Sequence, residues 1–148
     1  MSQRKKLSDI MNPKKFVCLP GSATAAVAAK KMLERQVGAI VVMEDGKLLG
    51  IVTERDINYR LVAIGRDAVN TTLVDIMTRN PKTMPPATPV VDALDLMQKH
   101  GYRHVPLAED GKVIGIVSLG DIFMAVKHAL EQDIEDSEQF IVGSGTTH

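Results

Sequence analysis

Two copies of one short motif place a hydroxyl three residues before a carboxylate. Thr53 and Asp56 form the first copy, and Ser118 and Asp121 form the second, 65 positions further along the chain. Each copy directly follows an apolar run and precedes a segment with helical character. One interpretation is a capping box, in which the hydroxyl and the carboxylate satisfy free amide groups at the start of a helix.

A functional interpretation of this motif is compatible with the capping box. A carboxylate can accept hydrogen bonds from both hydroxyls of a ribose, and free amides at a helix start favour a nearby anion. Glu is the usual acid of a capping box, whereas both copies here use Asp. The motif therefore predicts a nucleoside phosphate site at each copy, where the hydroxyl caps the helix and the carboxylate is left for a ligand.

The motif belongs to a longer internal repeat. Glu-Asp-Gly-Lys at 44–47 recurs at 109–112, and Gly-Ile-Val at 50–52 recurs at 115–117. The segments 7–11 and 73–77 also match, as two short helical turns. A repeat of this kind fixes the unit of structure. Two like units usually pack on a pseudo-twofold axis, so we expect paired surfaces to face each other across a shared cleft.

Each repeat has the same predicted order of elements after its short helical turn. An extended stretch leads into a helix, which in the second repeat should begin with Thr88 as N-cap and Pro89 as the first helical residue. Two apolar strands follow, joined by Asp-Gly, which is a strong signal for a β-hairpin. The second helix begins at Thr53 or Ser118.

These elements predict an α/β (α+β) fold of two β-α-β-β-α repeats packed about a pseudo-twofold axis. We place the first repeat at 7–66, the second repeat at 73–131 and an acidic, flexible C-terminal tail at 132–148.

Composition excludes several classes of protein. The chain has 148 residues, with 18 basic and 18 acidic side chains and 3% aromatic residues. Nucleic-acid binding needs a basic face or stacking aromatic side chains. This composition favours neither of them, so nucleic-acid binding is not expected. No apolar run approaches the ~18 residues of a membrane span, and the basic N-terminus lacks the apolar segment of a secretory signal. The lone Cys18 excludes an internal disulfide, and we expect a cytoplasmic protein in which Cys18 is buried.

The repeat resembles the CBS domain, named for cystathionine β-synthase. The resemblance rests on the Glu-Asp-Gly-Lys hairpin, Gly-Ile-Val and the Thr/Ser-x-x-Asp motif, and it covers about Leu7 to Leu130. Two copies in tandem resemble a Bateman module, here as a stand-alone pair of bacterial type. The resemblance implies two clefts for adenosine-type ligands such as AMP, ADP, ATP, S-adenosylmethionine or a nicotinamide dinucleotide. It also implies a homodimer, with two modules stacked as a disc.

The resemblance also assigns site residues. It implies that Asp56 and Asp121 hold the ribose. It implies that the extended stretch before each long helix contacts the base. These stretches are Cys18, Leu19 and Pro20 in the first repeat and Thr83, Met84 and Pro85 in the second.

A basic pair distinguishes the second repeat from the first. Arg103 and His104, followed by Val105 and Pro106, resemble a family segment whose basic residues point towards phosphate. A surface arginine beside a partly buried histidine is the open alternative. The first repeat has no basic residue here, so the two clefts are not equivalent, and Arg55 is a further candidate for phosphate. We hypothesise that a phosphate bridges Thr53 and Asp56 of one repeat to Arg103 and His104 of the other.

Catalytic and metal chemistry are not predicted. His100 and His104 are four residues apart, as in a helical zinc site, but Gly101 should end the helix between them. No motif positions a nucleophile or a Gly-rich phosphate loop. We therefore expect no enzyme and no required cofactor, but a sensor of adenine nucleotides that shifts conformation or assembly and acts on a regulated protein. The alternative is a structural or interaction module with empty clefts that binds a protein partner.

Overall fold

The structure, a computed structural model, describes residues 5–145 and contains two similar sets of helices and strands. The first set comprises α1 (Leu7–Ile10), a 3-10 turn (Pro13–Lys15), β1 (Cys18–Leu19), α2 (Ala25–Arg35), β2 (Ala39–Glu44), β3 (Lys47–Thr53) and α3 (Glu54–Ile57), which continues as a π-helical turn (Asn58–Val62). The second set comprises α4 (Leu73–Ile76), β4 (Thr78–Arg79), α5 (Val90–His100), β5 (His104–Glu109), β6 (Lys112–Ser118) and α6 (Leu119–Gly145). None of the helices within the described range combines the length and apolar character needed to cross a membrane.

Both predicted β-hairpins are present. The strands β2 and β3 pair antiparallel, as do β5 and β6, and each pair contains one register shift. The turn residues have positive φ in both hairpins, at 52° and 76° for Asp45 and Gly46 and at 52° and 78° for Asp110 and Gly111. Positive φ at both positions matches the right-handed twist of the flanking strands, which explains why Asp-Gly recurs at this point.

The two hairpins lie in two separate sheets that pack face to face. The first sheet has the strand order β1-β2-β3-β4, and the second contains β5 and β6. Ile51 of β3 and Ile116 of β6, which are equivalent positions of the repeat, are each 5% exposed and belong to one apolar cluster. Contact between equivalent residues is what a pseudo-twofold arrangement requires. The mixed α/β class predicted from the sequence is confirmed.

The short helical turns exchange between the two halves. Leu73 and Ile76 of α4 are fully buried in the first core, beside Ala28 of α2. Conversely, Leu7 of α1 is fully buried in the second core, beside Ala93 of α5. We expected each turn to begin its own repeat, but each packs into the other repeat's core. The two halves therefore share one cooperative body.

The start of α5 differs from the prediction. The N-cap position is Pro89 rather than Thr88, and no side chain caps the helix. The Val90 amide instead donates to the Lys5 carbonyl at 2.9 Å, and the Leu7 amide donates to the Thr88 carbonyl at 2.9 Å. The chain segment before α1 thus satisfies the groups that a side-chain cap would otherwise satisfy.

Two further features differ from what we expected. The segment expected to be an acidic, flexible tail at 132–148 is helical as far as Gly145, where α6 ends. Residues 146–148 of that segment lie outside the described range. Cys18 was expected to be buried but is exposed, with its Sγ 3.7 Å from the Sδ of Met43. A two-residue strand at the edge of the sheet leaves this side chain uncovered.

Candidate functional site

Asp56 closes a capping box where β3 ends and α3 begins. The Asp56 amide donates to Thr53 Oγ1 at 3.3 Å, and the Thr53 amide donates to Asp56 Oδ2 at 2.9 Å. The capping interpretation of the first motif is therefore confirmed. Asp56 Oδ1 faces Arg60 Nε at 3.7 Å, and within the described residues it accepts no hydrogen bond. Although Asp56 is only 7% exposed, it keeps one free acceptor oxygen.

The equivalent box in the second half has the same backbone contacts but a different neighbour. The Ser118 amide donates to Asp121 Oδ2 at 3.1 Å, and the Asp121 amide donates to Ser118 Oγ at 3.0 Å. Lys15 Nζ donates to the remaining oxygen, Oδ1, at 2.8 Å. Burial acts to raise the pKa of Asp121, but the hydrogen bonds from Lys15 and Ser118 outweigh it and hold the pKa below its usual value.

A cavity of about 580 Å³ adjoins Asp56, and we call it the Asp56 cavity. Its wall joins Thr53, Arg55 and Asp56 of the first half to Arg103 and His104 of the second half. These are the residues that the phosphate-bridge hypothesis required to be neighbours. The structure therefore brings together a carboxylate and a basic pair that are separated by almost fifty residues of chain.

Several residues of the Asp56 cavity had not been predicted from the sequence. The predicted site residues are accompanied there by Tyr59, Arg60, Thr78, Asn80, Pro81 and Lys82. The Arg55 guanidinium lies 5.1 Å from the centre of the Tyr59 ring, within the range of a cation–π contact. One sequence signal could have found Asn80 and Lys82, since Asn-Pro-Lys follows the helical turn of both repeats, at 12–14 and 80–82.

A smaller cavity of about 220 Å³ adjoins Asp121, and we call it the Asp121 cavity. Lys15, Ser118 and Asp121 lie on one side of it. Glu54 and His104 line both cavities, so these two side chains form part of the wall between them. The two cavities are unequal in volume and in their charged residues.

His104 lies in this shared wall with one ring nitrogen unsatisfied. Its Nδ1 is buried and has no hydrogen-bond partner among the described residues. Burial holds the pKa of His104 below its usual value, and Arg103 acts in the same direction, while the carboxylates of Glu54, Asp121 and Asp56 oppose the shift. The ring is therefore largely neutral at pH 7, and an acidic group that entered the cavity could pair with its protonated form.

Gly38 occupies the position equivalent to Arg103 in the first half, and its surroundings explain the missing basic residue. A Cβ atom at Gly38 would overlap the Glu54 carboxylate and lie 3.2 Å from His104 Nε2. A long side chain would fit there only if both neighbours moved. Glu54 of the same half and His104 of the other half therefore leave no room for an arginine at this position.

The remaining predicted residues lie elsewhere. Met84 is 2% exposed and Val105 is fully buried, and both pack in the second core. Neither of the two cavities, as lined by described residues, includes the predicted base-contacting stretches or the two residues after the basic pair: Cys18, Leu19, Pro20, Thr83, Met84, Pro85, Val105 and Pro106. Their roles in ligand binding stay predictions.

Comparisons with known proteins agree with the repeat architecture. The CBS domain model matches the chain twice, at residues 7–63 and 73–128. A match of 38% identity over 121 residues to the mitochondrial CBS domain-containing protein CBSX3 of Arabidopsis thaliana covers 78% of this chain and 59% of that protein. The chain thus spans somewhat more than half the length of this curated relative.

Solved structures show the same fold. The CBS domain protein PAE2072 from Pyrobaculum aerophilum, complexed with AMP, superposes with a TM-score of 0.71 at 28% identity, covering 79% of this chain and 89% of that one. A hexameric CBS-CP12 protein from bloom-forming cyanobacteria superposes with a TM-score of 0.77 at 26% identity, covering 100% of this chain and 94% of that one. With two matched segments that together span most of its length, the chain belongs to the CBS domain family and contains a pair of CBS domains.

Proposed function

We propose that this CBS pair is a regulatory module that binds an adenine nucleotide in the Asp56 cavity. The observation that supports this most strongly is the cavity wall, which joins a carboxylate with a free oxygen to a basic pair from the other half of the chain. Its volume of about 580 Å³ lies within the ordinary range for small-molecule sites.

The chemistry of the cavity suits the two polar ends of a nucleotide. Asp56 Oδ1 is an acceptor for ribose hydroxyl groups, because Oδ2 is already engaged by the Thr53 amide. Arg55, Lys82 and Arg103 line the same cavity and can offer charge-assisted hydrogen bonds to phosphate oxygens. Ribose recognition therefore depends on the first half, and phosphate recognition depends chiefly on the second.

AMP is the first ligand to test. The structurally similar PAE2072 is complexed with AMP, and its sequence is 28% identical to that of this chain. Since net charge is zero, the local excess of basic side chains around the cavity provides the attraction for an anion. We extend the proposal to ADP, ATP, NAD(P) and S-adenosylmethionine as competing ligands, without a required cofactor.

Binding would be converted into regulation by the position of the cavity between the halves. A ligand shifts an equilibrium only by its difference in affinity for two states. A nucleotide held by Asp56 and Arg103 contacts both halves and thus prefers the packing that brings these residues close. We propose that this preference changes the shape or the assembly of a homodimer in the cytoplasm, and through it a partner protein. No chemical step is part of the proposal.

Thermal unfolding with a panel of ligands tests this function. The protein is heated with AMP, ADP, ATP, NAD, NADPH and S-adenosylmethionine, and with GTP as a control for the base. A ligand that binds only the folded state adds about 2.7 kcal/mol at a hundred times its dissociation constant. This corresponds to a rise in Tm of several degrees for a chain of this size. A rise with one adenosine compound supports the proposal, whereas no rise with any of them favours the interaction module with empty clefts.

A further inference from the structure

The two capping-box aspartates differ at the single oxygen that remains after capping. Oδ2 accepts the amide of Thr53 in the first box and of Ser118 in the second. Oδ1 of Asp56 has Arg60 Nε at 3.7 Å, which is beyond hydrogen-bond distance. Oδ1 of Asp121 accepts a hydrogen bond from Lys15 Nζ at 2.8 Å. An incoming hydroxyl therefore meets an open acceptor in one cavity and an occupied acceptor in the other.

The backbone after the two short helical turns explains this difference. After α4, the chain extends as β4, and Arg79 pairs with Gly50 of β3. After α1, the chain instead forms the 3-10 turn at Pro13–Lys15, whose start is capped by the side chain of Asn12 at 3.0 Å from the Lys14 amide. The turn places Lys15 at the wall of the Asp121 cavity.

A second contact holds the turn in place. The Arg35 guanidinium, at the end of α2, donates to the Lys14 carbonyl at 2.9 Å. Lys82, which ends the equivalent Asn-Pro-Lys tripeptide, lines the Asp56 cavity but forms no ion pair with Asp56 among the described residues. Among the described residues, an ion pair between a lysine and a capping-box aspartate is therefore found for Asp121 and not for Asp56.

We propose that Lys15 acts as a built-in occupant of the Asp121 cavity, so that each chain binds a single nucleotide, in the Asp56 cavity. The inference rests on the function proposed above. A ribose hydroxyl that approached Asp121 Oδ1 would have to compete with the ammonium group of Lys15 for this oxygen and for the space beside it. The volume of about 220 Å³ left beside Lys15 restricts the second cavity further.

The test counts AMP molecules bound per full-length chain, by isothermal titration calorimetry checked by equilibrium dialysis. The native chain should bind one equivalent. Lys15→Met keeps most of the length of the side chain but removes the ammonium, and it should bind two equivalents. Adding Asp121→Asn to Lys15→Met should return the count to one. Lys14→Met is the matched control, because the Lys14 side chain forms no ion pair with any residue that the structure describes, and it should bind one.

The outcomes separate this inference from the proposed function. One equivalent for Lys15→Met, in a protein whose circular dichroism and Tm match the native chain, would overturn the inference, and so would two equivalents for the native chain. Both results leave the proposed function intact. A native chain and a Lys15→Met variant that both bind no AMP, ADP, ATP, NAD(P) or S-adenosylmethionine would refute the proposed function and the inference together. Lys15→Gln repeats the measurement with a polar replacement, and a count of two is again required.

Discussion

Removal of the Arg103 side chain should separate phosphate binding from nucleoside binding. Arg103 and Asp56 line the same cavity from opposite halves of the chain. In Arg103→Ala the carboxylate that would hold the ribose is untouched, whereas one cation near the phosphate is lost. We therefore expect the variant to bind AMP more weakly than the native chain does, and to bind adenosine almost as well.

The structure also sets the size of this effect. A hydrogen bond to a charged group contributes about 1.5–3 kcal/mol when its partners are protected from water. Arg103 is exposed in the structure, so the lower end applies. We expect the dissociation constant of AMP to rise about tenfold, since about 1.4 kcal/mol corresponds to a factor of ten. The dissociation constant of adenosine should change by less than about twofold.

Isothermal titration calorimetry with AMP and with adenosine provides the measurement. Arg66→Ala is a matched control, because Arg66 is exposed and does not line the Asp56 cavity. It should leave both dissociation constants unchanged. Equal losses for AMP and adenosine in Arg103→Ala would refute the reasoning, because they would show that Arg103 does not act on the phosphate.

Three further predictions concern stability, measured by urea unfolding. Leu73→Ala should lower the free energy of unfolding by about 2–5 kcal/mol, because Leu73 is fully buried in the core of the other repeat; a loss below about 1 kcal/mol would contradict that exchange. Gly50→Ala should lower the free energy of unfolding by about 1–3 kcal/mol, since its Cβ would lie 2.6 Å from the Thr78 carbonyl oxygen; an unchanged free energy of unfolding would contradict this contact. Burial lowers the pKa of His104 in the folded chain, so the unfolded chain takes up a proton first, and stability should fall as pH drops below about 6.5. His104→Gln should reduce this fall, and an unchanged pH dependence would contradict the assignment.

Features governed by a few neighbouring residues were predictable from the sequence. The Asp-Gly hairpins follow from turn residues that tolerate positive φ, and the Thr53 cap follows from a hydroxyl and a carboxylate three residues apart. The mixed α/β class follows from the repeated order of helices and strands. In each case the physical cause lies within a single turn or hairpin.

Features that depend on distant contacts were not predictable in the same way. Lys15 and Asp121 are 106 positions apart, and nothing near either residue signals their ion pair. The exchange of α1 and α4 depends on which core each turn enters, and local sequence is the same for either choice. The Thr88 cap failed because the backbone at Lys5, far away in the chain, satisfies the Val90 amide.

Part of the candidate site was therefore accessible from the sequence and part was not. The repeat motif located Thr53 and Asp56, and the basic pair located Arg103 and His104, which share one cavity in the structure. The base-contacting stretches rested on family resemblance alone, and the structure places Met84 in the core. Residues such as Lys82 enter the cavity through the path of β4, which sequence patterns did not specify.

The most direct measurement compares AMP binding by Asp56→Asn and Asp121→Asn in titration calorimetry. The amide oxygen of Asn can still accept the capping hydrogen bond. The NH2 group, which is an uncharged donor, then replaces the free acceptor oxygen in the cavity. We predict that Asp56→Asn raises the dissociation constant of AMP about tenfold or more, by loss of about 1.5–3 kcal/mol, with the fold retained. Asp121→Asn should bind AMP as the native chain does. Native affinity in Asp56→Asn, or loss of binding in Asp121→Asn alone, would contradict the placement of the nucleotide in the Asp56 cavity.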